Sequence, residues 1–261
     1  IIIERSVVPD QRRYVIPEEG PRHYIDLDDY DHADSIPKYW NQAVERYGEE
    51  FLEAHGLGPW YTYFTYRKLI TAFSSKNHVE IIRLSSDLAH YVADANVPLH
   101  TTSNYNGQRT DQHGIHGFWE TRLPQLYSGQ YDFLVGKAEY LEDPQASIWA
   151  GVFQANELVD SLFLVEFMAT KEVGEEQKFG YEDRGKSIQK VYSEDFSNKY
   201  HDILPRVEQQ MQRSIKMIGD LWFTAWVEAG QPSLTKFSNV FIDPDTTEIV
   251  RKIKPIREHG F

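Results

Sequence analysis

The chain has 261 residues, 41% of them hydrophobic and 26% charged, the proportions of an ordinary globular protein and not of a disordered or fibrous one. Its formal net charge of −13 argues against a surface that attracts phosphate backbones by bulk electrostatics. The absence of cysteine excludes a disulfide framework and any thiolate metal site, so a metal here has to be held by histidines and carboxylates.

The opening "IIIERSVVPD" lacks the layout of a signal peptide, and a start on Ile instead of Met reads as a trimmed precursor. Helical spacing predicts elements from Ile36 to Leu52 and from Trp60 to Phe73. It is clearest from His78 to Ala95, where Ile81, Ile82, Leu84, Leu88, Tyr91 and Val92 fall mostly on one side. Further helices are expected over Gly117 to Tyr127, Ser147 to Thr170 and Glu208 to Ala229. The last is closed by Gly230 and Pro232. Strand alternation is weak, with "GQYDFLVG" and the tail after Leu234 as the places for short strands. Pro244 and Pro255 favour an irregular tail from about residue 235. No apolar run approaches the roughly 18 to 20 residues of a membrane span. The expectation is an all-α fold, one multi-helix domain over 1–261, with no transmembrane segment.

The chemistry concentrates in "HYVADANVPLH", His90 to His100. Residues four apart share a helix face, so His90 and Asp94 can point at one spot. Pro98 is compatible with a break after Asn96, which lets His100 turn back toward the same region. In "GIHGFWE" the arithmetic repeats, with His116 and Glu120 four apart. Each pair alone is commonly a hydrogen-bonded or solvated pair; two pairs plus His100 make a metal pocket the better reading. Thiol-free, imidazole-rich donors favour zinc, with manganese and iron compatible by ligand type.

Other residues read as structure. His113 lies in a polar loop and is expected to face solvent, and "DLDDYDHAD" lacks the glycine and terminal glutamate of a calcium loop. Trp222 and Trp226 are expected in the core; Trp60, Tyr61, Tyr63 and Tyr66 read as packing or as a cleft-rim platform.

The run H-x3-D-x5-H ending in "PLH", followed by H-x3-E, resembles the signature of bacterial zinc-dependent phospholipases C and of the related single-strand-specific zinc nucleases. That resemblance implies a single all-α domain with a zinc cluster at the bottom of a cleft. It extends upstream to "VVPDQRR" and "PRHYID". It implies that Asp10, His23 and His90 hold one zinc, with Asp94 bridging onward, and that His100, His116 and Glu120 hold a second. A third zinc in the family uses an N-terminal Trp and a nearby His. Neither precedes His23 here, so two zinc sites are expected, and a third only if residues upstream of Ile1 supply ligands. Asp26 is expected to orient His23 from behind.

The implied activity is phosphodiester hydrolysis by a zinc-bound hydroxide, with Asp10 as candidate base. Glu120, where the nucleases typically carry Asp, points to a phospholipase C-like enzyme acting on a phospholipid headgroup. The alternatives are a single-strand-specific nuclease and a non-catalytic zinc-binding relative. The resemblance also implies a secreted or periplasmic protein.

Overall fold

In a computed structural model the described residues are 2–183, 185 and 187–235. Ile1 and the tail from residue 236, where an irregular wrap was expected, lie outside them. The fold is predominantly helical. Short helices α1 (Ile2–Arg5) and α2 (Val8–Arg12) lead into a 3-10 segment, Pro17–His23. Then come α3 (Trp40–Tyr47), α4 (Glu49–His55), α5 (Gly58–Ser74) and α6 (His78–Ala95). A 3-10 turn at Pro98–Thr101 and a loop precede α7 (Ile115–Gly117), a π turn (Phe118–Arg122) and α8 (Leu123–Tyr127). The chain continues through α9 (Pro144–Asn156), α10 (Val159–Val173), a hairpin of β1 (Phe179–Asp183) and β2 (Ile188–Tyr192), α11 (Glu194–Ile203) and α12 (Val207–Glu228).

The expected helix from Ile36 to Leu52 is two helices, because Gly48 adopts φ 78° between them. The expected Ser147–Thr170 helix is also two, parted at Glu157 and Leu158. "GQYDFLVG" forms no strand; the antiparallel pair lies later, with Phe179 opposite Tyr192 and the two rings 4.8 Å apart. Taken as one stretch, Pro144–Val173 is apolar and long enough by composition to cross a membrane, which the sequence reading did not expect. Here Ile148, Trp149, Val152, Leu162 and Ala169 of that stretch are buried in the core.

Three apolar clusters position the rest. Helices α5, α6 and α12 meet through Tyr66, Leu69, Leu84, Leu88, Leu221 and Ala225. Ile25, Leu27, Trp60, Trp149 and Val152 form a second cluster, and Leu99, Ile115, Phe118, Leu162, Phe196 and Tyr200 a third. Each fully buried aliphatic or aromatic side chain contributes about 1.5–3 kcal/mol of transfer free energy. Consequently the backbone is pinned two residues after His23, one before His100 and one before His116 by Ile25, Leu99 and Ile115, all of them at most 1% exposed.

Candidate metal centre

The first group is assembled from three separate segments. Helix α6 starts on Asn77, whose side chain accepts from Glu80 N, and its apolar face packs inward, leaving His90 and Asp94 together on another face. Asp94 Oδ2 lies 3.2 Å from His90 Nε2 and 2.9 Å from His23 Nδ1, and the two ring nitrogens are 3.0 Å apart. Asp10, from α2, brings Oδ1 to 4.0 Å from His23 Nδ1 and 3.9 Å from His90 Nε2. Four donors therefore converge: Asp10, His23, His90 and Asp94. Asp94 touches both ring nitrogens and so adjoins the Asp10–His23–His90 group, where a bridging ligand was expected. His23 is 3% exposed at its side chain and Asp10 47%, so the group is closed on the protein side and open at the carboxylate.

His23 ends the 3-10 segment Pro17–His23, and the extended residues that follow it are clamped on both sides. Gly58 N donates to Tyr24 O (2.9 Å), Asp26 N to His55 O (2.8 Å) and Ile25 N to His100 O (2.9 Å). Tyr24 passes so close to Gly56 that a β-carbon there would collide with its carbonyl, and Gly56 has φ 96° besides.

The second group begins where α6 ends. Asn96 Nδ2 donates to Val92 O, and Gln210 Nε2 of α12 donates to Asn96 O, satisfying the helix end. Val97 is extended ahead of Pro98, and the following 3-10 turn swings His100 back. His100 Nδ1 donates to His23 O (2.6 Å), so its Nε2 faces Glu120 Oε1 at 2.9 Å. His116 Nδ1 likewise donates to Tyr105 O (3.1 Å), and its Nε2 faces Glu120 Oε2 at 3.0 Å. Both imidazoles are thus oriented by a backbone carbonyl, with the second nitrogen aimed at one point. Asn106 Oδ1 accepts from Gly114 N and His116 N, capping the start of α7 from the loop.

Glu120 lies in the π turn. Pro124 has no N–H for the Glu120 carbonyl, and its ring crowds that carbonyl, so the turn widens and Leu123 N donates to Phe118 O instead. The i,i+4 pairing expected from the sequence is met, but on a helix of different pitch.

The electrostatics favour the charged forms of Asp94, His90, His100 and Glu120. Burial alone disfavours ionised Asp94, but His90 and His100 outweigh it and hold the carboxyl well below its usual range. Burial lowers the His100 imidazolium, while Asp94 and Glu120 outweigh that and push it up to about 10. The same balance, with Asp94 and Asp10, raises His90. Without a metal, the His100 imidazolium is held by the Asp94 and Glu120 carboxylates.

Six of the seven sequence-predicted ligands fall into two groups that could hold a metal ion, Asp10 with His23 and His90, and His100 with His116 and Glu120; Asp94 adjoins the first through its two histidines. Comparison with protein-family models, curated proteins and solved structures returned no match. The site thus stands on its own geometry. Asp26 is placed elsewhere than expected, with Asp29 and His55, in a third group of possible donors. Burial and the neighbouring Asp28 and Asp29 push its carboxyl up to about 7. Asp28 is occupied by structure, accepting from Ser103 N, Ser103 Oγ and Thr102 Oγ1. His113 is exposed, Trp60 and Tyr66 are core, and Trp222 and Trp226 pack partly buried against it.

Sequence reasoning missed Glu19 and Asn106. Glu19, fully buried, stands 3.9 Å from His23 Nε2. Its only signal was the i,i+4 spacing to His23, in a segment that was not read as an element.

Proposed function

We propose that this chain is a zinc-dependent phosphodiester hydrolase, acting like a phospholipase C. The observation that carries it is the pair of donor groups. Zinc bonded to nitrogen at about 2.0–2.1 Å in a tetrahedron needs donor–donor edges of about 3.3–3.4 Å. The first group's edges to its two nitrogens run from 2.9 to 4.0 Å and bracket that value. The second offers two Nε2 atoms and one carboxylate, a three-ligand set of the kind that keeps a position open for chemistry. Zinc bound there supplies Lewis acidity and a water-derived nucleophile near neutral pH.

The protein's residues do the rest. His100 and His116, held by their Nδ1 donors, keep Nε2 directed inward, where each would offer a lone pair to a bound metal. Asp10, half exposed and at the open side of the first group, is the carboxylate placed to accept a proton from attacking water. Arg13 Nη1 sits 3.6 Å from Asp10 Oδ1 and is 45% exposed, a cation available to a phosphoryl oxygen. With two zinc ions against Asp10, Asp94 and Glu120, the loaded centre keeps positive charge for an anionic ester although the whole chain is acidic.

The preference for a lipid rests on Glu120, the position at which the resemblance separates phospholipases from nucleases. The test is zinc content per chain together with hydrolysis of a phosphatidylcholine analogue and of denatured DNA. Two zinc ions, and lipid hydrolysis lost on chelation and restored by zinc, are expected. DNA cleavage without lipid hydrolysis would move the reading to a nuclease. Two bound zinc ions with neither activity would make the chain a non-catalytic zinc binder.

A further inference from the structure

We infer that Glu19 is the positioning residue of the first metal group: its carboxylate fixes the tautomer and orientation of His23. The inference rests on the zinc reading above and adds a residue to it. His23 uses Nδ1 toward Asp10, His90 and Asp94, and its other nitrogen, Nε2, points away from the centre into the protein. That Nε2 is buried and has no hydrogen-bond partner, while Glu19 Oε1 faces it at 3.9 Å. A metal ligand that binds through one ring nitrogen needs a lone pair there and therefore carries its proton on the other. Metal-binding histidines nearly always donate that second N–H to a carboxylate, a carbonyl or water. His100 and His116 both follow this rule through carbonyls. His23 completes it by closing a gap of about 1 Å to Glu19.

Glu19 is built to stay ionised and in place. Oε1 accepts from Arg12 Nη2 at 3.1 Å and from the Tyr91 hydroxyl, and Oε2 accepts from Arg22 Nη1 at 2.5 Å. Arg12 in turn reaches Asp87, and Arg22 lies over the Tyr61 ring at 4.3 Å. Tyr91 and Asp87 belong to α6, the helix that carries His90 and Asp94. The carboxylate behind His23 is therefore registered against the same helix as its fellow ligands. With Nε2–H toward Glu19, the Nδ1 lone pair is free for the centre. In the opposite tautomer an Nε2 lone pair would face the carboxylate, which is repulsive.

The experiment is calorimetric titration of zinc alone into the metal-free full chain, as wild type, Glu19→Gln and Glu19→Asp. Imidazole nitrogen resonances report the His23 tautomer. The wild type is expected to take two zinc ions with His23 protonated at Nε2. Glu19→Gln is expected to bind one zinc about 10–100-fold more weakly, to leave the other unchanged, and to lose the tautomer preference. Glu19→Asp is expected to recover part of both. Two zinc ions at unchanged affinity in Glu19→Gln, with the tautomer unmoved, would overturn the inference while leaving the zinc reading intact. A wild type that binds no zinc would overturn both. If circular dichroism shows Glu19→Gln unfolded, Arg22→Ala carries the test: it frees Oε2 from a partly exposed partner and is expected to weaken only the first site severalfold. Unchanged affinity there overturns the inference.

Discussion

His100 Nδ1 donates to the main-chain carbonyl of His23 across 2.6 Å, while Ile25 N donates back to His100 O across 2.9 Å. The second group's imidazole is therefore mounted on the backbone of the first. A displacement of the His23 main chain, unlike a change confined to its ring, would therefore reach both groups.

The protons of the metal-free centre make a pH prediction. His100 is pushed up to about 10 by Asp94 and Glu120, against burial, and His90 is raised too. At pH 7 zinc would have to displace the His100 proton, so binding would release protons to buffer and its apparent affinity would rise with pH. Calorimetry in buffers of different ionisation enthalpy measures the number released; none released at pH 7 contradicts the assignment. The stability sign follows the same shift. His100's folded value lies above an unfolded value of about 6.5. Its contribution is thus fully present below about 6.5 and is lost as pH rises through about 10. The thermal midpoint of the metal-free protein should fall across that window.

Gly56→Ala places a β-carbon against the Tyr24 carbonyl at a residue with φ 96°. The expected cost is about 1–3 kcal/mol, as for other overpacking substitutions. Because Tyr24 adjoins His23, zinc affinity at the first group should fall with it. Denaturant midpoints and zinc titration read the two effects; an unchanged midpoint would show that the segment moves freely.

Pro124→Ala gives the Glu120 carbonyl an N–H partner and lets the π turn tighten toward an α-helix. The metal-free protein should gain about 1 kcal/mol, the net value of one hydrogen bond. Zinc binding at His100, His116 and Glu120 should weaken at the same time. Loss of stability together with retained affinity would contradict this account of the turn.

Arg13→Ala removes the exposed cation that pairs with Asp10 while leaving every candidate ligand side chain in place. We expect KM for the phosphodiester to rise roughly tenfold, the size of one charge-assisted contact, with zinc content unchanged. A fall in kcat at constant KM would instead assign Arg13 to the support of Asp10.

How legible the site was depended on its locality. His90 with Asp94, and His116 with Glu120, are local spacings and could be read directly. Asp10 and His23 are separated from His90 by most of the N-terminal region and were placed only through a resemblance. Asp26 was chosen as the orienting residue because it is near His23 in sequence. In the fold the chain is extended at Tyr24, which carries Asp26 away to His55, whereas the 3-10 turn that ends at His23 brings Glu19 back. The missed α11 had signals that went unused: Ser193 capping Phe196 N, and acidic Glu194 and Asp195 in the first turn. The missed hairpin carried alternating Phe179 and Tyr181 before Gly185 and Ile188, Val191 and Tyr192 after it, too short a pattern to stand out beside long helices.

The metal donors all lie between Asp10 and Glu120, yet α6 is capped at its C-terminal end by Gln210 and packed against Leu221 and Ala225 of α12. On a ribosome, every donor emerges before the helix that steadies their common scaffold. The candidate donor set is therefore complete in composition before α12 exists, so any metal held in the native arrangement would depend on the docking of that helix.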